Sequence, residues 1–581
     1  MLETKIKRIL SVILATFLLA AFLVLPSTSA TAANSYGLTD NIQGGVILHC
    51  WDWSYNTVTS NLQAIANAGY DAVQVSPVEP PKDYNASWTD VSGQWWKLYQ
   101  PTSLSFADGG SWLGTKSDFT AMCTAAHSYG IKVIVDIVSN HLANNNSSLG
   151  NSASNRSSQI PANISSNSAY WHNNNVFVDD NSRYDMTQGS IGEPDLNTGN
   201  TDIQQMVLSL MKTCVDCGAD GFRFDAAKHI ETPSDDTNFA SQLWPAVING
   251  IKAYSPRPIY CYGEILATPG PISINAYTEY MSITDANTGN SVLQNVASGN
   301  AAGAASIYYQ LAPSASKAVL WAESHDTYTS GTNNNSDTQI TEAWAIVASR
   351  SDATDLFLAR PTSLSGGVMG QAGDTTWKDP AVVAVNKLHN AFTGQLEYLS
   401  SRGSLVINER GTTGAVIVNI SGSSVSANIA IHNLAAGTYK DQVSGGTFTV
   451  SGGKLTGSIV ANAVVVLNNG TTAAVPGSIK IYFTDNNNWG NVNAYMWKSG
   501  ANTAPVAWPG TALTTTETNS YGQKIYSVTV DTSKYDMIIF SGSGGQTEDI
   551  PLTGIPTGTG FYCLATKDGS GHYNATNYIH G

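Results

Sequence analysis

From residue 45 onward, short continuous apolar runs alternate with stretches of helical spacing. The runs 46–50, 72–75, 131–138 (IKVIVDIV), 222–225, 259–264, 318–323 and 355–359 predict strands. Residues 62–68, 118–127, 203–217, 239–254, 339–348 and 381–392 carry the 3.6-residue period of helices. Strands apolar on both faces and separated by helices belong to a parallel sheet covered on both sides. About eight such units over roughly 350 residues predict a (β/α)8 barrel with insertions rather than an open sheet.

Two changes of rhythm divide the chain. Residues 142–200, rich in Asn and Ser, follow the third strand directly; a loop that long is functional or a small subdomain of its own. The barrel is thus expected over residues 33–141 and 201–395, with 142–200 as an inserted domain. Beyond residue 392 the helical period stops. Residues 396–468 read as short alternating strands broken by Gly and Ser, an all-β domain. NGTTAAVPGS at 469–478 reads as a linker, and 479–581 is a second strand-rich segment with many aromatics.

The N-terminus adds an address. Lys5, Lys7 and Arg8 precede the apolar run 9–25, and Ala30-Thr31-Ala32 is an A-x-A cleavage motif. Residues 1–32 are therefore expected to be a signal peptide. The run could instead be a single anchor, but the cleavage motif favours removal, a secreted extracellular chain and no membrane association. No other stretch is apolar enough to span a bilayer. The formal charge of −15 argues against a nucleic-acid partner, which needs basic surface, and suits a neutral substrate. Six cysteines in 581 residues are no disulfide framework. Cys214 and Cys217 form a C-x-x-C inside a helical stretch with no second pair, so buried free thiols are the expected state. The pairing of Cys50, Cys123, Cys261 and Cys563 stays open.

The chemistry gathers at strand ends. In GFRFDAAKHI (221–230), alternation turns Phe222 and Phe224 one way and Arg223 and Asp225 the other. An inward carboxylate is costly to bury unless it has a partner or a task; taken alone, the stretch reads as a structural ion pair. The third strand, however, ends in Asp136-Ile-Val-Ser-Asn140-His141, the fifth in Tyr262-Gly263-Glu264, and the seventh in Glu323-Ser-His325-Asp326. In a parallel barrel these ends meet at the C-terminal mouth. Asp225, Glu264 and Asp326 there exceed what pairing with one arginine needs, and paired carboxylates at a mouth are the machinery of glycosidic cleavage.

DIVSNH, GFRFDAAKHI, the GE of YCYGEIL and the HD of WAESHDTY resemble the ordered motifs of glycoside hydrolase family 13. VILHCWDWS, WWKLYQPTS and GEPDLN are similar to those of its secreted bacterial α-amylases, and the match runs from about residue 40 to 468. The resemblance implies that Asp225 is the nucleophile, with Arg223 holding it ionised, and that Glu264 is the general acid and then base. Neighbouring carboxylates would keep the Glu264 proton in place. Asp326 would grip the distorted sugar, joined by His141 and His325. It also implies stacking by Trp96 and Tyr99 and a hydrogen bond from Gln100 on the nonreducing side, with Lys228 and His229 on the leaving side. The bland readings are packing for the aromatics and structural roles for the histidines. Retention of configuration requires the two carboxyls about 5–5.5 Å apart.

A calcium site is implied as well, from Asn140, Asp195 and the His229 carbonyl, with Thr187 a further candidate; oxygen donors suit this hard cation. Asp195 could alternatively cap the helix that follows. Relatives that bind chloride carry Asn just before the final HD pair, whereas Ser324 stands here, so chloride is not expected. GEPDLN replaces the more usual LPDLD. Residues 479–581 resemble the starch-binding modules of families 25 and 26, small β-sandwiches. Tyr482, Trp489, Tyr495 and Trp497 are the stacking candidates, each equally readable as core. The expectation is a monomeric, secreted, endo-acting, retaining α-amylase on starch-like α-1,4-glucans. A transglycosylase or a maltooligosaccharide-forming enzyme is the nearest rival, and a catalytically dead glucan-binding protein a more distant one.

Overall fold

Eight short parallel strands close on themselves, each paired with its neighbour in sequence and the last with the first. They are β1 (Val46–Cys50), β2 (Ala72–Val75), β3 (Lys132–Ile137), β4 (Gly221–Phe224), β5 (Tyr260–Gly263), β6 (Ser282–Thr284), β7 (Ala318–Leu320) and β8 (Thr354–Leu358). The computed structural model describes residues 36–579 apart from 88–91, 175, 267–271, 308, 363–366, 469–477, 500–506, 520, 533, 553–554 and 556–558. The 1–32 signal segment, and all but the last residue of the 469–478 linker, lie outside the described residues.

β4 shows how alternation builds the layers. Phe224 faces out and meets Trp244 edge to face, with ring centroids 5.2 Å apart, while Arg223 faces in and is 3% exposed. The helix expected over 239–254 is shorter, running through Pro245–Asn249 and Gly250–Tyr254; proline lacks an N–H and is tolerated only in a first turn. β6 is three residues long, too short to carry a readable period.

The insert leaves β3 and returns beside it. Leu142 N donates to Pro194 O at 3.3 Å and Leu196 N to Asn140 O at 2.8 Å, so His141 and Asp195 form a bridge. Between these points lie turns and single helical turns such as Ala162–Ser165 and Arg183–Gln188. Asparagine side chains do much of the bonding. Asn155 Oδ1 accepts from the amides of Asn145 and Asn146, and its Nδ2 donates to Gly150 O at 2.7 Å. Short amides make such local bonds in competition with helix and sheet, which explains the composition. Arg183 ties the insert to the turn after β4 through Asp235 (2.7 Å) and the Lys228 carbonyl (3.0 Å).

Eight further strands between residues 397 and 468 make two four-stranded antiparallel sheets. Their alternation divides two cores. Leu405 and Ile407 pack between the sheets, whereas Val406 joins the barrel's core. Residues 478–579 form two five-stranded sheets around Ile481, Phe483 and Phe540. All six cysteines are buried and unpaired. No helix among the described residues is long and apolar enough to cross a membrane.

Candidate active site

Arg223 is the hub of the barrel mouth. Its Nη1 donates to Asp136 Oδ1 at 2.7 Å and to Asp225 Oδ1 at 2.8 Å, while its Nη2 is paired with Glu264 Oε1. One planar guanidinium therefore holds three carboxylates from three adjacent strand ends. Backbone geometry sets two of them. Ala226, directly after Asp225, has φ +50°, a left-handed conformation uncommon outside glycine, and its N–H donates to Glu264 Oε2 at 3.2 Å. Gly263 precedes Glu264 because a Cβ there would lie 2.8 Å from Met281 Cε and 2.9 Å from Ala227 Cβ.

Burial pushes Glu264 up to about 7; Arg223 opposes the rise and Asp326 and Asp225 add to it. The cause ranks differently from the sequence expectation, with loss of solvent ahead of the neighbouring carboxylates. Asp326 is also raised, first by burial, with 36% of its side chain exposed to the cleft. His325 is lowered to about 4 by burial and by Arg223, so its ring is neutral at pH 7.

A cleft of about 350 Å³ opens above this cluster. It brings together Asp225, Glu264, Asp326, Trp96, Tyr99, Gln100, His141, Lys228, His229 and His325, with Arg223 beneath. Trp96 is 38% exposed, free to present a ring face, whereas Tyr99 is 8% exposed with its ring stacked on His325 at 5.1 Å. Tyr99 also braces the site: its hydroxyl donates to Asp136 Oδ2 at 3.0 Å and its carbonyl meets His141 Nε2 at 2.9 Å. Trp95, Ile191, Glu193, Ala226 and Leu266 also line the cleft. Ile191 lies outside every quoted motif, while Trp95, Ala226, Leu266 and Glu193 lie inside WWKLYQPTS, GFRFDAAKHI, YCYGEIL and GEPDLN without having been given a place in the cleft.

Behind the cleft, Asn140 and Asp195 are buried and joined, Asn140 Nδ2 to Asp195 Oδ1 at 2.7 Å. His172 meets the other Asp195 oxygen at 2.6 Å and Glu231 at 3.2 Å. Burial opposes a charge on His172, yet the two carboxylates push it up to about 10. Asn140 and Asp195 supply the oxygen donors a hard cation takes, so this pair fits calcium. The Thr187 hydroxyl is engaged with its own helix, 3.1 Å from Arg183 O, so its main-chain carbonyl is the donor it would offer. The His229 ring is engaged at Nδ1 with Met186 O at 2.9 Å. Among the described residues no three His, Cys, Asp or Glu side chains are grouped as a metal site.

In the C-terminal unit, Trp489 is 1% exposed and stacks on Phe483 at 5.4 Å inside the core. Tyr482, on β17 (Ser478–Thr484), is 8% exposed. Both correct the sequence expectation, because burial leaves them no free ring face. Tyr495 and Trp497 share a face of β18 (Asn493–Trp497), 5.5 Å apart, and Trp508, 51% exposed, joins Tyr495 at 5.4 Å.

The alpha-amylase catalytic-domain family matches residues 54–293, and starch-binding module 26 matches residues 481–551. An alpha-amylase of Clostridium acetobutylicum is 38% identical over 458 residues, covering 77% of this chain and 57% of the relative. One of Butyrivibrio fibrisolvens is 33% identical over 515 residues, covering 81% and 51%. The chain thus spans a little over half the length of these relatives. Alpha-amylase I of Eisenia fetida shares the fold at TM-score 0.59 and 18% identity, over 74% of this chain and 97% of that one. The alpha-amylase of Geobacillus thermoleovorans complexed with acarbose does so at 0.57 and 14%, over 74% and 100%. The closed barrel thus holds the segment that matches the alpha-amylase catalytic-domain family, and the β-rich region after it holds the segment that matches starch-binding module 26.

Proposed function

We propose that the chain is a secreted, monomeric, endo-acting α-amylase that hydrolyses α-1,4-glucosidic bonds in starch-like glucans with retention. The observation that carries the reading is the single Arg223 fork holding both Asp225 and Glu264 at the mouth of the barrel. Two carboxyls gripped by one guanidinium are neighbours, which supports a double displacement, whose two carboxyls stand about 5–5.5 Å apart. Asp225 attacks the anomeric carbon and the bond to the leaving oxygen breaks as Glu264 donates its proton. A glycosyl ester to Asp225 results. Glu264, now a carboxylate, takes a proton from water, whose oxygen displaces Asp225 and restores both groups.

Asp326 and the neutral His325 hydrogen-bond the sugar whose ring flattens toward the oxocarbenium-like transition state, and His141 does so from the insert side. Trp96 offers a stacking face and Gln100 a hydrogen bond on the nonreducing side. Lys228 and His229 line the leaving side. Asn140, Asp195 and the His229 carbonyl would hold a calcium ion, whose part is to tie the insert to the barrel. The domain limits proposed with it are 142–200 for the insert, 396–468 for the all-β domain and 479–581 for the starch-binding module. Tyr495 and Trp497 are the glucan-stacking face of that module. Asp225→Asn tests the assignment: hydrolysis of soluble starch disappears while retention on starch granules stays. A variant that still releases reducing sugar overturns it.

A further inference from the structure

The GEPDLN stretch places a charged group where the cleft meets the insert. Glu193 Oε1 accepts from Gln100 Nε2 at 2.7 Å and from Asn144 Nδ2 at 3.2 Å. The oxygens of those two amides accept in turn from Lys82 Nζ, at 3.0 and 2.8 Å. Carboxylate and ammonium thus face each other across two amides, and the charges decide which way each amide points: nitrogen to Glu193, oxygen to Lys82. The ring joins the loop after β2, the first turn of the insert and its last. Among the described residues Glu193 Oε2 takes no protein hydrogen bond, while Glu193 lines the cleft beside Trp96 and Gln100. Lys82 Nζ also lies 5.5 Å from the centre of the Trp96 ring.

We propose that Glu193 is a specificity-determining substrate contact at the nonreducing end of the cleft. It accepts a hydroxyl hydrogen bond from a glucosyl unit stacked on Trp96 and, through its other oxygen, sets the orientation in which Gln100 meets the same unit. This rests on the α-glucan reading of the cleft. An ionised acceptor beside a ring face is a strong, directional hydroxyl contact, stronger than a neutral one. Its hydrogen-bond partners are Gln100 and Asn144 rather than Asp225 or Glu264, so it acts on which bond is placed at the carboxylates rather than on breaking it.

The test uses the full-length chain and maltooligosaccharides labelled at the reducing end. Glu193→Leu is expected to lower kcat/KM on short oligosaccharides roughly ten- to hundred-fold, chiefly through KM, and to shift the distribution of cleaved bonds. Glu193→Gln, which keeps the shape and the amide partners but loses the charge, falls between. A residue that only braces the insert would lower Tm and slow all bonds alike, leaving the cleavage distribution unchanged. That distribution, unchanged in a Glu193→Leu variant that folds, overturns the proposal. Unaltered Glu193→Gln and Glu193→Leu kinetics also overturn it. Failure of the wild-type chain to cut α-glucans at all would instead sink the functional reading beneath it.

Discussion

Replacing Arg223 with Met tests the electrostatic account of the mouth most directly. The guanidinium is 3% exposed and serves Asp136, Asp225 and Glu264 together. Removing one partner of a buried ion pair costs about 3–5 kcal/mol, because the other charge is left without compensation. Here one cation leaves three carboxylates behind. For a domain of a few hundred residues about 1 kcal/mol moves Tm by 2–4 °C, so a fall of roughly 10 °C or more at pH 7 is expected. The deficit should shrink at acid pH. Buried carboxyls without a cation have raised pKa values, so the loss is felt above those values and fades as pH falls toward about 4, where the unfolded chain is protonated too. The decisive arm adds Asp136→Asn. In the wild type that change removes a ligand of Arg223 and destabilises. In Arg223→Met it removes an orphaned charge at a site 0% exposed, and should restore at least about 1 kcal/mol. Calorimetry of the four proteins at pH 7 and pH 5 reads out the sign. If Asp136→Asn destabilises both backgrounds equally, Arg223 is not the buried counter-ion described.

Further outcomes follow from the same geometry. Glu264, at about 7, must hold its proton to act as acid, so kcat/KM should decline as pH rises through about 7. The stability contributed by its protonated form is present at low pH and is lost over the same window, since its ordinary value is about 4.3. An alkaline limb beginning below pH 5 would contradict the assignment. Calcium should raise the Tm of the wild-type chain and chelation lower it, and Asp195→Ala should blunt both; a full response in that variant refutes the donor set. With hydrolysis silenced by Asp225→Asn, Trp497→Ala should weaken retention on granular starch roughly tenfold. Trp489→Ala should instead cost about 3–5 kcal/mol of stability in the module, and a reversal of these two effects would exchange their roles.

The barrel was legible because its strands are buried on both faces and its polar residues stand at strand ends. IKVIVDIV followed by SNH, and GFRF followed by D, announce both the strand and the mouth. The faces of NAYMW were legible from simple alternation. What escaped had no such signature. β6 has three residues, and Glu193 and Leu266 reach the cleft from loops whose course no period describes. Trp489 was readable either way because a β-sandwich core draws on the same residue types as a sugar platform. Asp136 was visible beside the SNH motif, but its service to Arg223 depends on β3 lying against β4, a tertiary fact.

The six thiols give the chain a clock. Each is buried and unpaired, and burial pushes Cys261 and Cys563 up to about 12, so at those two almost no thiolate meets solvent in the native state, and the thiolate is the reactive form. A thiol reagent added to the folded chain records how often each region opens rather than how reactive its surface is. Cys50, on β1, would time the opening of the barrel and Cys563 that of the C-terminal sheets, two independent records from one labelling experiment.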